Sequence, residues 1–94
     1  MITFEWDENK NQLNQKKHSV SFEEAQTVFY DERALLEYDA SHSAGEERFR
    51  ILDCSSEGNI LLVVHCIREE SVIRIISSRK ATAAEKAGYE RSLP

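Results

Sequence analysis

The chain has 94 residues, 40% hydrophobic and 31% charged, with a formal net charge of −5. That length favours one domain over residues 1–94 with one modest core, and one proline with three glycines argues against a linker or a disordered chain. No apolar run approaches the roughly 20 residues that cross a bilayer, and the amino terminus lacks the basic start and apolar stretch of a signal peptide. Those absences point to the cytoplasm and away from a membrane.

Ile2, Phe4 and Trp6 alternate with Thr3 and Glu5, which predicts a short opening strand buried on one face. Asp7 is placed to cap a helix from Glu8 to about Lys17. Leu13 is its only large apolar residue, so packing alone holds this helix weakly. Lys10, Leu13, Asn14 and Lys17 share a helical face, which aims two cations the same way. A solvated helix with a basic side is the plain alternative. Lys17, His18 and Ser19 form the expected turn. Ser21 to Glu24 has the capping-box form, Ser21 capping and Glu24 reaching back, with Val20 and Ala25 at the staple positions. Phe22, Ala25, Val28 and Phe29 give this second helix an apolar face ending near Tyr30 or Asp31. His18 stands directly before it and is a candidate base, against the plainer reading of a surface or structural histidine.

Residues 34–38 are expected to form a short strand, and 39–47 a polar loop containing His42, Ser43 and Gly45. The next strand, 48–54, sends Phe49 and Ile51 one way and Arg48, Arg50, Leu52 and Cys54 the other. Residues 55–59 make a turn. Residues 60–67 are apolar on both faces, the mark of a central strand, with His65 near its end and Arg68 just beyond. Residues 69–71 turn into a β-branched run, 72–77, which leads to Arg79 and Lys80. Thr82 to Glu85 is a second capping box and opens an alanine-rich helix towards Tyr89 or Arg91. The short connections imply antiparallel hairpins. The order is β-α-α-β-β-β-β-α: an α+β fold with a single antiparallel sheet and helices packed mainly on one face.

Cys54 and Cys66 fall in predicted strands, where buried thiols serve as small hydrophobes in a reducing compartment. Two cysteines without a histidine pair do not make a zinc site. The sequence has no phosphate-binding glycine loop and no nucleophile turn, so neither a metal nor a cofactor is expected. Charge is uneven. Residues 31–57 carry eight carboxylates against three arginines, whereas 58–94 carry four against six cations. A local basic site on an acidic protein and an acidic face for a basic partner are both open. Cations and imidazoles fall near predicted element ends: Lys10, Lys17, His18, His65, Arg68, Arg74, Arg79 and Lys80. Metal-free RNA cleavage needs a base for the 2′-hydroxyl, cations for the pentavalent phosphate and an acid for the leaving oxygen. Residues of these types suffice, and arginine suits phosphate because its fork is bidentate and always charged.

A longer pattern narrows the choice. It comprises Phe4, Trp6, Asp7, Lys10, Asn14, Lys17 and His18, then Val20, Ser21, Phe22, Glu24, Ala25, Val28 and Phe29. It continues with Glu47, Arg48 and Phe49, the run Arg74 to Ala81, and Glu85 and Tyr89. In this the chain resembles the BrnT family, toxins of type II toxin–antitoxin modules with a RelE-like fold. Ser78 departs from the family's alanine, small for small, and residues 31–46 match only in character. The resemblance implies a ribonuclease toxin that cuts RNA and blocks translation. It also implies a cognate BrnA-like antitoxin with a ribbon-helix-helix domain, a heterotetramer with it, and autorepression through operator DNA that only the antitoxin touches. Expected catalytic residues are Lys17, His18, His65, Arg68 and Arg79, with Lys10, Arg74 and Lys80 binding substrate. Arg74 has the alternative of a carboxylate within the fold, His65 that of a satisfied strand histidine, and Trp6 and Tyr89 that of packing. The alternative function is a non-catalytic antitoxin-binding subunit or co-repressor.

Overall fold

The computed structural model describes residues 1–40 and 45–94; His42 and Ser43 of the expected polar loop lie outside them. The elements are β1 (Thr3–Glu5), α1 (Glu8–His18), α2 (Phe22–Gln26) with a 3₁₀ turn (Thr27–Tyr30), β2 (Leu35–Tyr38), β3 (Phe49–Cys54), β4 (Ile60–Arg68), β5 (Val72–Lys80) and α3 (Ala83–Ser92). The expected element order holds. The strands form one five-stranded sheet, β1-β5-β4-β3-β2.

The sheet is mixed, not wholly antiparallel. β2 to β5 form an antiparallel meander, but β1 pairs parallel with β5, with Phe4 opposite Ile73. The expectation rested on short hairpin connections, which govern only consecutive strands. α1 and α2 lie between β1 and β2 in the chain, β2 takes the far edge, and the meander returns to lay β5 beside β1.

Local chemistry sets the helix ends. Asp7 accepts from the amides of Asn9 and Lys10 and caps α1. α1 runs one residue past the expected Lys17, and the left-handed Ser19 (φ 59°) ends it, so His18 is helical and not part of the turn. At α2, Ser21 accepts from the Glu24 amide as expected, but Glu24 does not reach back. Its carboxylate accepts from Ser55 Oγ at 2.6 Å and Asn59 Nδ2 at 2.9 Å, tying α2 to the β3–β4 turn. Thr82 and Glu85 do form a reciprocal capping box.

Val20, Phe22, Ala25 and Val28 pack against Ile51, Leu61, Val63, Ile73 and Ile75. The five strand residues occupy one sheet face, which α1 and α2 cover. Burying such side chains supplies about 25 cal/mol per Å² of apolar surface removed from water.

A register break fixes the other face. Val64 pairs with Ser77 and His65 with Ile75, so Ile76 is an extra residue in β5. Without it, strict alternation would turn Arg79 towards the helices with Ile73 and Ile75. The bulge reverses parity, so Ser78 goes to the helix side and is buried. Arg79 goes to the opposite face, the one carrying Arg50, Leu62 and Val64.

Candidate functional site

That opposite face holds an open cleft of about 310 Å³ lined by Asp39, Arg48, Arg50, Leu62, Val64, Ile76, Ser77 and Arg79. Strand spacing explains the set. Arg48 and Arg50 are two apart on one chain segment, and Ser77 and Arg79 two apart on another, so both pairs share a face. Leu62, Val64 and Ile76 form an apolar floor between them. Such a floor lowers the local dielectric and strengthens each arginine's pull on an anion. A larger hollow of about 690 Å³ lies between the 3₁₀ turn and the β3–β4 turn. Its one lining arginine, Arg33, is held by Asp31 at 3.0 Å and Glu32 lies beside it, so it does not suit an anion.

The arginines are oriented by carboxylates. Arg79 donates from both terminal nitrogens to Glu85, at 2.8 and 3.0 Å. This fork holds the Glu85 carboxyl down at about 2, with burial opposing. Arg50 pairs with Glu37, while its buried Nε has no hydrogen-bond partner among the described residues.

The eight residues expected at the site divide into three groups. Arg68, Arg74 and Arg79 share the open face. However, Arg68 is held by Glu46 at 3.1 Å and Glu5 at 4.0 Å, and Arg74 by Glu5 at 2.8 Å. They form an ion-pair cluster at the β1 end of the sheet, away from the cleft lining. The alternative given for Arg74, a carboxylate within the fold, matches its geometry.

His65 is in the core, 2% exposed. Phe29 meets its ring edge-on at 4.8 Å, and Phe49 lies at 6.0 Å. Burial pushes its pKa below the ordinary histidine value, against a weak contact from Nδ1 to the Val63 carbonyl. An enclosed neutral ring cannot touch a polymer, so the geometry matches a satisfied strand histidine. Tyr89 is likewise a packing residue, buried with its hydroxyl on Asp53.

Lys10, Lys17, His18 and Lys80 form the third group, on the helix side. Asn14 binds both backbone groups of Ser78. Lys10 lies one turn before Asn14 on α1, and Lys17 and His18 one turn after it. They therefore flank the free edge of β5, next to the residues that send Ser77 and Arg79 into the cleft. Lys10, Lys17 and Lys80 are exposed; His18 is half-buried.

Sequence reasoning placed Arg48 and Arg50 on one strand face without assigning them to the site. Two arginines two apart in a half-buried strand was the available signal. The bulge that brings Arg79 beside them left no mark in the sequence.

The family model described as the ribonuclease toxin BrnT of type II toxin–antitoxin systems matches residues 6–85. The fold is similar to that in the 1.1 Å crystal structure of the Brucella abortus ribonuclease toxin BrnT. That similarity has a TM-score of 0.67 at 20% identity, over 87% of this chain and 99% of that one. No curated protein matches the sequence.

Proposed function

The chain belongs to the BrnT family of type II toxin–antitoxin ribonuclease toxins, and from that premise we propose that it cleaves RNA endonucleolytically, without a metal, and so inhibits translation. The carrying observation is the cleft in which Arg48, Arg50 and Arg79 converge over an apolar floor. Arg50 and Arg79, exchanging their carboxylate partners Glu37 and Glu85 for the substrate, hold the scissile phosphate and stabilise its pentavalent state, and Arg48 holds the flanking backbone. Lys17 and His18 lie across the β5 edge from Arg79. They take the 2′-hydroxyl proton and return one to the 5′-oxygen, leaving a 2′,3′-cyclic phosphate. Lys10 and Lys80 extend the track for the polymer. His65 takes no part, and Arg68 and Arg74 act through the fold.

Residues 1–94 act as one toxin domain in the cytoplasm. The cognate antitoxin carries a ribbon-helix-helix domain, forms a heterotetramer with the toxin, and makes the operator contacts of an autorepressing complex. A net charge of −5 fits a toxin that leaves DNA to its partner.

The test is purified protein on single-stranded RNA with and without chelator, beside Arg79→Ala and Arg50→Ala. Cleavage should persist in chelator, and each variant should lose about 10²-fold or more. The same charge also favours the non-catalytic antitoxin-binding reading. That reading takes over if RNA stays intact in both conditions while the antitoxin binds tightly.

A further inference from the structure

The far edge of the sheet is an unfinished surface. β2 is the terminal strand, and all four of its residues are exposed. The Asp39 amide donates to the Arg48 carbonyl at 2.8 Å, so Asp39 faces β3. Backbone direction alternates along a strand, so Glu37 and Leu35 also face β3. Leu36 and Tyr38 direct their N–H and C=O groups outward. These two residues are 61% and 48% exposed, and Leu35 on the other face is 39% exposed. An apolar edge with open backbone groups is a template for another strand.

Charge identifies the strand it takes. β2 lies in the segment where eight carboxylates face three arginines, and the Glu37 side chain is 71% exposed. A second copy pairing through β2 would bring two such acidic segments together, with Glu37 near its own equivalent, which is unfavourable across strands. We infer that β2 docks an extended segment of the cognate antitoxin by strand addition, with apolar residues over Leu36 and Tyr38 and a lysine or arginine against Glu37. The inference rests on the antitoxin partnership, not on RNA cleavage. The docked strand would lie next to Glu37, the β2 residue that pairs with Arg50 of β3, one strand outside the arginine cleft.

The experiment uses the full chain and the antitoxin encoded beside it. Hydrogen exchange is read at the Leu36 and Tyr38 amides, alone and in complex. Both should exchange quickly in the free protein and become protected in the complex. Affinity should fall about tenfold in Leu36→Pro, which removes an outward donor the sheet does not use. Tyr38→Lys should weaken binding similarly and steepen with added salt less than the parent does. Leu13→Lys, at an exposed apolar residue on α1, should bind like the parent. RNA cleavage by Tyr38→Lys should equal the parent's, which separates failure of docking from failure of the nuclease reading. Complex formation with both amides unprotected, protection of the same amides by self-association, or no complex at all would each overturn the inference.

Discussion

Asn14 and Ser78, 64 residues apart, are joined by both main-chain groups of the serine. Asn14 Nδ2 donates to the Ser78 carbonyl at 2.7 Å, and the Ser78 amide donates to Asn14 Oδ1 at 3.2 Å. β1 has ended at Glu5, opposite Arg74, so the later half of β5, paired with β4 on one side, has no strand on its outer edge. One amide side chain takes the place of that strand. Nδ2 also donates to the Val20 carbonyl at 2.8 Å, which fixes the turn between α1 and α2. This anchor explains how a helix with a single large apolar residue is held in place.

Asn14→Leu should therefore cost about 2–4 kcal/mol, because buried backbone groups lose their partners. Asn14→Asp should cost at least as much, since it sets a carboxylate against two carbonyls. Urea unfolding measures both. A loss below 1 kcal/mol for either would show that water or local rearrangement replaces the anchor.

The Arg79–Glu85 fork gives stability an acid limb. The Glu85 carboxyl is lowered from 4.5 to about 2 by Arg79, so the pair's contribution is complete above about pH 4.5 and is lost as pH falls towards 2. Both side chains are about one-third exposed, and solvent screening limits the effect to about 1 kcal/mol. Glu85→Gln keeps an oxygen for the Thr82 amide but removes the charge. Its stability should be flatter than the parent's between pH 4.5 and 2 in urea titrations. Parallel curves would remove Glu85 as a source of that limb.

Much of the fold was legible because strong local rules agreed. Asp7, Ser21 and Thr82 cap where their side chains predicted, and the uninterrupted apolar run of β4 marked the sheet's centre. The parallel pairing of β1 was hidden because it joins the two most distant strands. The site was legible only in part. Arg79 is where a functional cation was expected, yet its company depends on the bulge at Ile76, which no turn residue announces. His65 looked reactive by residue type, and only tertiary packing against Phe29 and Phe49 shows it enclosed. Residues such as Glu5 and Glu46, which hold Arg74 and Arg68, come from elements far away in sequence.

His65→Phe tests the enclosed ring directly. The aromatic contacts with Phe29 and Phe49 should persist, so the variant should fold and cleave RNA as the parent does. Burial lowers the histidine's pKa, so the parent gains nothing above about pH 6.5 and loses stability as pH falls below it. The variant should lack that slope. Comparing the two by thermal unfolding at pH 7 and pH 5.5 reads the difference. A folded His65→Phe with no ribonuclease activity would return the histidine to the catalytic group.

Glycine placement offers a last test of backbone physics. The β4–β5 turn holds Glu69 and Glu70 at φ 50° and 66°, in the left-handed region that costs a residue with a β-carbon about 1 kcal/mol. Gly88, by contrast, lies inside α3, where a β-carbon would meet only Arg91 Nη2 at 3.8 Å, an ordinary contact. Glu70→Gly should relieve the turn and Gly88→Ala should stiffen the helix, each stabilising by about 0.5–1 kcal/mol. The sites share no element, so the double variant should show the sum of the two gains. A midpoint shift in urea at unchanged slope is the expected signature. Glu70→Ala keeps the β-carbon and should gain little, which separates relief of the turn from the mere loss of a charge. If Glu70→Ala matches Glu70→Gly, repulsion between Glu69 and Glu70, not backbone conformation, is the source of the strain.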